Sequence, residues 1–191
     1  MSLPIVVGIT GASGAAYAVR LIEELKKQEV PVDLVVTDMG QRLLKEESGV
    51  SLSDLDQEGV QVHPIRDLGA QLSTGSYRTR GMVVIPATTG TCGKIAAGTS
   101  ENLVVRAADV TLKEGRKLVI VVRETPLNLI HLRALTTLAE AGATVMPASP
   151  GFYHNPKDLD GIIDFMVDRV LAQFDLNSSN PVKYSPDNGQ A

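Results

Sequence analysis

The hydrophobic pattern of this chain predicts an α/β domain, three layers deep, built around a central parallel sheet. Three observations carry that prediction. Short apolar runs rich in β-branched residues recur along the chain, and helical stretches separate them. Strands alternating with helices in this way form parallel βαβ units whose sheet is covered on both faces. The first apolar run also passes straight through a glycine-rich turn into a helical pattern, as a βα unit with a ligand above the sheet edge requires.

Ile5–Ile9 is the first strand, and Thr10-Gly11-Ala12-Ser13-Gly14 is the turn that follows it. Helical spacing then runs over about residues 14–28. Val32–Val36 is the second strand and 40–48 the next helix. Gly81–Ile85 is the third strand and stops at Pro86. A helix is expected over 101–114, then a fourth strand, Leu118–Val122, a helix over 127–141, a fifth strand, Thr144–Met146, ending at Pro147, and a last helix over 158–175. Asp54, Asp56, Asp158 and Asp160 read as helix starts, where a carboxylate meets the positive end of the helix dipole. The whole is a Rossmann-like (flavodoxin-like) domain over 1–176. A tail over 177–191, rich in Asn, Ser and Pro, reads as a flexible end or an arm laid on a neighbouring subunit.

Composition narrows the function. A net charge of −4 gives no global attraction to nucleic acid or acidic membranes. No apolar stretch approaches the ~20 residues of a membrane span, and the first strand begins too early for a signal peptide. One cysteine, Cys92, leaves no intrachain disulfide and fits a reducing, cytoplasmic setting. His63, His131 and His154 are far apart, without metal-ligand spacing. Basic residues nevertheless gather in the second half, among them Arg106, Lys113, Arg123 and Arg169, which points to a local anion site.

In parallel sheets ligands bind beyond the carboxyl ends of the strands, so the chemistry belongs to the connections 10–14, 37–40, 86–91 and 123–126. The first offers helix N-terminal amides lined only by Gly, Ala and Ser, a seat for a phosphate or an electron-rich ring. Gly8, Gly11 and Gly14 give G-x-x-G-x-x-G rather than the dinucleotide fingerprint G-x-G-x-x-G. Asp38 stands where a ribose-binding acid would, and Tyr153 to Lys157 spells the Tyr-x-x-x-Lys of short-chain dehydrogenases. Pro156 disfavours the helix turn that pair needs. Thr88, Thr89 and Thr91 supply hydroxyls around Gly90, for a phosphate or for a helix cap. Arg123 can fork onto a phosphate, and adjacent Glu124 can carry a proton. Arg106 and Lys113 lie two helical turns apart on one face, with Asp109 between them as a partner. These cations exceed what one phosphate needs, so a second anionic ligand is expected.

Five segments, in order and with natural spacing, resemble one family. They are Thr10 to Gly14, Pro86 to Thr91, Arg106-Ala107-Ala108-Asp109-Val110-x-Leu112-Lys113-Glu114, Arg123-Glu124-Thr125-Pro126 and Pro150-Gly151-Phe152-Tyr153-His154. From about residue 4 to 175 the chain is similar to the UbiX-like flavin prenyltransferases, formerly described as aromatic-acid decarboxylases. The resemblance implies transfer of a dimethylallyl group from dimethylallyl monophosphate to reduced FMN without a metal. It also implies delivery of prenylated FMN to a UbiD-type decarboxylase, and homododecamers with sites shared between subunits.

By the same resemblance, Gly11, Ala12 and Ser13 lie against the flavin. Thr37, Thr88, Thr89, Gly90, Thr91, Arg106 and Arg123 contribute to binding FMN or its surroundings. Lys113, Glu124, Tyr153 and Arg169 hold the dimethylallyl phosphate, and Ser13, Glu47, Lys113 and Glu124 are the catalytic group. Two departures stand out: Pro86-Ala87-Thr88 replaces the family's frequent Pro-Cys-Ser, and Lys183-Tyr184 stands in a tail that lacks the family's tryptophan. A flavin-dependent decarboxylase of the same fold and a non-catalytic FMN-binding protein are the alternatives.

Overall fold

In the computed structural model, described for residues 2–179 and Pro181, six parallel strands form one sheet. The chain runs β1 (Ile5–Ile9), α1 (Ala15–Lys27), β2 (Val32–Val36), α2 (Asp38–Ser48), α3 (Leu52–Leu55), β3 (Val60–His63) and β4 (Gly81–Ala87). It continues with α4 (Thr89–Ala96), α5 (Leu103–Lys113), β5 (Lys117–Val122), α6 (Leu129–Glu140), β6 (Thr144–Pro147) and α7 (Leu159–Ala172). The strand order is β3-β2-β1-β4-β5-β6, all pairs parallel. This is the doubly wound Rossmann order, whose direction reverses between β1 and β4 and opens a crevice at their carboxyl ends.

Alternation within the buried strands divides the core in two. Ile5, Val7 and Ile9 with Val83, Ile85, Val119 and Val121 face α1, α2 and α7. Val6, Met82, Val84, Leu118, Ile120 and Val122 face α4 and α5. Every residue of β1, β2 and β4 is buried, as expected where helices cover both faces. Arg20 on α1 grips Asp164 and Asp160 on α7, fastening those two helices side by side.

All five expected strands are present. Of the elements for which no range was expected, β3 and α4 have weak local signals. β3 is a four-residue edge strand, Val-Gln-Val-His, and α4 contains Gly90 and Gly93, which carry little helix propensity. Packing of Cys92 and Ile95 into the second core layer holds α4 helical. Asp158 caps α7 through the Gly161 amide, and Asp54 completes a capping box with Ser51. Asp56 instead ends α3, because that helix is a single turn. The start of the tail lies on its own protomer: Ser178 bonds Asp168, and the Ser179 amide and hydroxyl bond buried Glu24. Lys183 and Tyr184 lie outside the described residues.

Candidate active site

The carboxyl-terminal rim of the sheet is laced together by Thr10. Its buried hydroxyl donates to the Pro86 carbonyl at 2.7 Å and accepts from the Thr88 amide at 2.9 Å, locking the β1 turn against the β4 turn. The Thr37 amide bonds the Ile9 carbonyl, and the Arg123 amide bonds that of Ala87. Four strand ends are thereby held as one surface at the topological switch point. The role of Thr10 was hidden in the sequence, where it reads as one more small turn residue.

The N-terminus of α1 is capped from a distance. Gly14 adopts φ 112°, a left-handed conformation that favours glycine, and offers no side-chain cap. Glu47, at the far end of α2, fills that role: its Oε2 accepts from the Gly14 amide at 2.8 Å and the Ala15 amide at 3.0 Å. Burial, the largest single influence on Glu47, works against its ionisation. The Gly14 and Ala15 amides, the Ser13 hydroxyl and the Arg123 charge together outweigh it and hold the carboxyl below the ordinary range. Arg123 also donates through Nε to the Ser13 carbonyl at 3.2 Å. A protein carboxylate thus occupies the anion seat of the first turn, leaving Gly11–Ser13 as a bed for a ring.

Two other helix N-termini face the rim. Thr37 caps α2, accepting from the Gly40 amide at 3.1 Å, and Thr88 caps α4, accepting from the Thr91 amide at 3.0 Å. The Thr88 hydroxyl donates to that of Thr91 at 2.9 Å. Each helix keeps first-turn amides without an intrahelical acceptor. Beside α4, Glu124 accepts from the Thr125 amide at 3.0 Å and from the Thr89 hydroxyl at 3.5 Å. Gly11, Ala12, Ser13, Thr37, Glu47, Thr88 to Thr91, Arg123 and Glu124 are therefore brought together within one protomer.

The remaining cations are not. The α5 amide of Leu103 bonds the Ile65 carbonyl just beyond β3, so α5 starts near the rim and descends. Lys113 ends it, four residues before β5 begins, whereas Glu124 lies two residues past the end of β5. A six-residue strand spans about 20 Å, which puts Lys113 and Glu124 at opposite edges of the sheet. Lys113 pairs there with Glu114. Arg106 bonds Asp109 at 2.8 Å and the Ser73 carbonyl at 3.1 Å. Tyr153 sits in the β6–α7 loop, edge-on to Phe165 of α7 at 5.8 Å, and Arg169 is one turn further along that helix. Tyr153 follows β6, the edge strand two places from β4, and Arg169 lies nearly three turns into α7. The Tyr153–Lys157 segment is not helical, and Asn155 has φ 49°, so no dehydrogenase-type Tyr–Lys pair forms. His63 is buried on Asp33 at 2.7 Å, and no histidine lies in the four rim segments.

Comparison with known proteins agrees with this geometry. The flavoprotein family model matches residues 1–171. The flavin prenyltransferase UbiX of Thauera aromatica is 48% identical over 173 residues, covering 91% of this chain and 89% of that protein. Among solved structures, AnUbiX (PadA1) in complex with FMN and dimethylallyl pyrophosphate superposes with a TM-score of 0.93 at 36% identity, covering 97% of this chain and 98% of that one. A dodecameric FMN-dependent UbiX-like decarboxylase from Escherichia coli O157:H7 gives the same TM-score at 39% identity, with 96% and 100% covered. With a rim of this construction and relatives this similar over nearly their whole length, the chain belongs to the flavoprotein family, among its UbiX-like flavin prenyltransferases.

Proposed function

We propose that the rim of this protein holds reduced FMN beside dimethylallyl monophosphate and that the residues named above carry the prenyl transfer. The single observation supporting it most is the grouping of a bare ring bed, two hydroxyl-capped helix N-termini and two carboxylates at the β1–β4 switch point. That donor set fits FMN: hydroxyls of Thr37, Thr88 and Thr91, α4 amides and the Arg123 guanidinium suit its phosphate. Gly11, Ala12 and Ser13 suit its flat ring.

Reduced flavin supplies the nucleophilic ring nitrogen and the neighbouring aromatic carbon that become bonded to the five-carbon unit. The protein's part is electrostatic and positional. Lys113, Arg106, Tyr153 and Arg169 bind the prenyl phosphate and stabilise the charge that grows as its carbon–oxygen bond breaks. Glu124 delivers a proton to the departing phosphate. Glu47, kept ionised by the α1 amides, accepts the proton that the aromatic carbon releases on ring closure. Ser13, bonded to Glu47, keeps that carboxylate facing the ring bed. Exclusion of water protects the allylic cation from capture.

Because Lys113 and Glu124 lie a strand length apart in one protomer, the phosphate half of the site is completed by another copy of the chain. Leu127, Leu129, Ile130 and Leu132, exposed immediately after Glu124, provide an apolar surface for such assembly. The product, prenylated FMN, passes to a UbiD-type decarboxylase. Anaerobic incubation with reduced FMN and dimethylallyl monophosphate, followed by flavin mass measurement, tests the reading. A flavin heavier by one dimethylallyl unit is expected, and an unchanged mass overturns it.

A further inference from the structure

We infer that Met39 is a flavin-contacting residue, the apolar wall of the ring bed, and that it sets affinity for the isoalloxazine ring. Four rim segments, 10–14, 37–40, 86–91 and 123–126, surround the switch point. Met39 carries the one long apolar side chain among them, beside Gly, Ala, Ser, Thr, Pro, Asp, Arg and Glu. It is 52% exposed on the first turn of α2 although its base is packed tightly. A Cβ added at Gly11 would stand 2.6 Å from the Met39 Cβ and 3.5 Å from its Cγ. The bare backbone of Gly11 is therefore needed to admit Met39 as well as a ring.

The course of α2 gives this contact its meaning. Met39 touches the loop at Gly11, and Glu47, eight residues later, touches it at Gly14 and Ala15. Eight helical residues rise about 12 Å, close to the reach of the intervening loop, so α2 lies alongside the bed. A ring resting on Gly11–Ser13 is bracketed by a thioether at one end and a carboxylate at the other. A ring with extended apolar faces needs apolar contact to leave water, and Met39 supplies it at the Gly11 end of the bed. An unbranched thioether also adapts to a ring before and after it gains a bulky substituent, and sulfur–aromatic contacts are favourable.

The inference rests on FMN as the ligand, and its test is independent of turnover. Oxidised FMN is titrated into wild-type protein, Met39→Ala and Met39→Leu, with quenching of flavin fluorescence as the readout. Losing the thioether surface that a bound ring would cover is expected to weaken FMN binding about tenfold in Met39→Ala. Met39→Leu, of similar volume, stays within about threefold of wild type. The half-exposed position leaves the melting temperature of flavin-free protein unchanged in both variants. FMN affinity of Met39→Ala within twofold of wild type overturns the assignment, as does Met39→Leu binding as weakly as Met39→Ala. Wild-type protein that binds FMN yet fails to alkylate it would overturn the proposed reaction and leave Met39's role standing.

Discussion

Glu47 offers the sharpest test, because the structure gives it two separable duties. It caps α1, a thirteen-residue helix whose own N-cap is Gly14, through two amides at 2.8 and 3.0 Å. Loss of a side-chain cap costs about 0.5–2 kcal/mol. Loss of the charge alone, next to a helix dipole and largely solvated, costs about 0.3–1 kcal/mol. In a domain of this size 1 kcal/mol moves the melting temperature by roughly 2–4 °C. Glu47→Ala should therefore melt roughly 1–8 °C below wild type near neutral pH, and Glu47→Gln, which keeps an acceptor, by at most roughly 4 °C.

Acid separates these effects. The folded-state proton affinity of Glu47 is lowered, so its stabilisation is complete above the unfolded-state value of about 4.5 and is lost as pH falls through the lower folded value. The wild-type advantage over Glu47→Gln should shrink and then close as pH is lowered below about 4.5, in melts followed by circular dichroism. A Glu47→Ala protein as stable as wild type at neutral pH would refute the capping argument. So would a gap to Glu47→Gln that persists in acid.

Other expectations follow from the same geometry. Glu124→Gln should slow prenyl transfer by about 10²–10⁴-fold while FMN affinity holds within twofold, measured by single-turnover flavin mass and fluorescence titration. Equal loss of both would make Glu124 a structural residue. Lys113→Ala and Glu124→Gln should each be nearly inactive alone. Activity should return when the two are unfolded and refolded together, since mixed assemblies pair one variant's intact α5 with the other's intact rim. Absence of recovery in verified mixed oligomers counts against a site shared between copies. Tyr77→Phe removes the hydroxyl that donates to buried Asp33 at 2.9 Å, where burial and the carboxylate push the tyrosine's pKa to about 12. That should cost about 1–3 kcal/mol in denaturant unfolding, with FMN binding unaltered.

What could be read from the sequence alone was whatever local chemistry encodes. Hydrophobic runs bounded by Gly and Pro placed five strands, and Asp158 marked the start of α7, because burial and capping act over a few residues. The rim segments were legible for the same reason: a parallel sheet sends every strand-to-helix turn to one edge, so their residues announce the site. Edge strand β3 and glycine-bearing α4 had no such local signature, since packing against distant elements holds them. Tertiary structure alone decided which polar groups meet. Glu47 reaches Gly14 across more than thirty residues, Met39 lies on Gly11, and Lys113 stands a strand length from Glu124. Side-chain reach and helix direction fix those distances, and neither is a property of any short stretch of sequence.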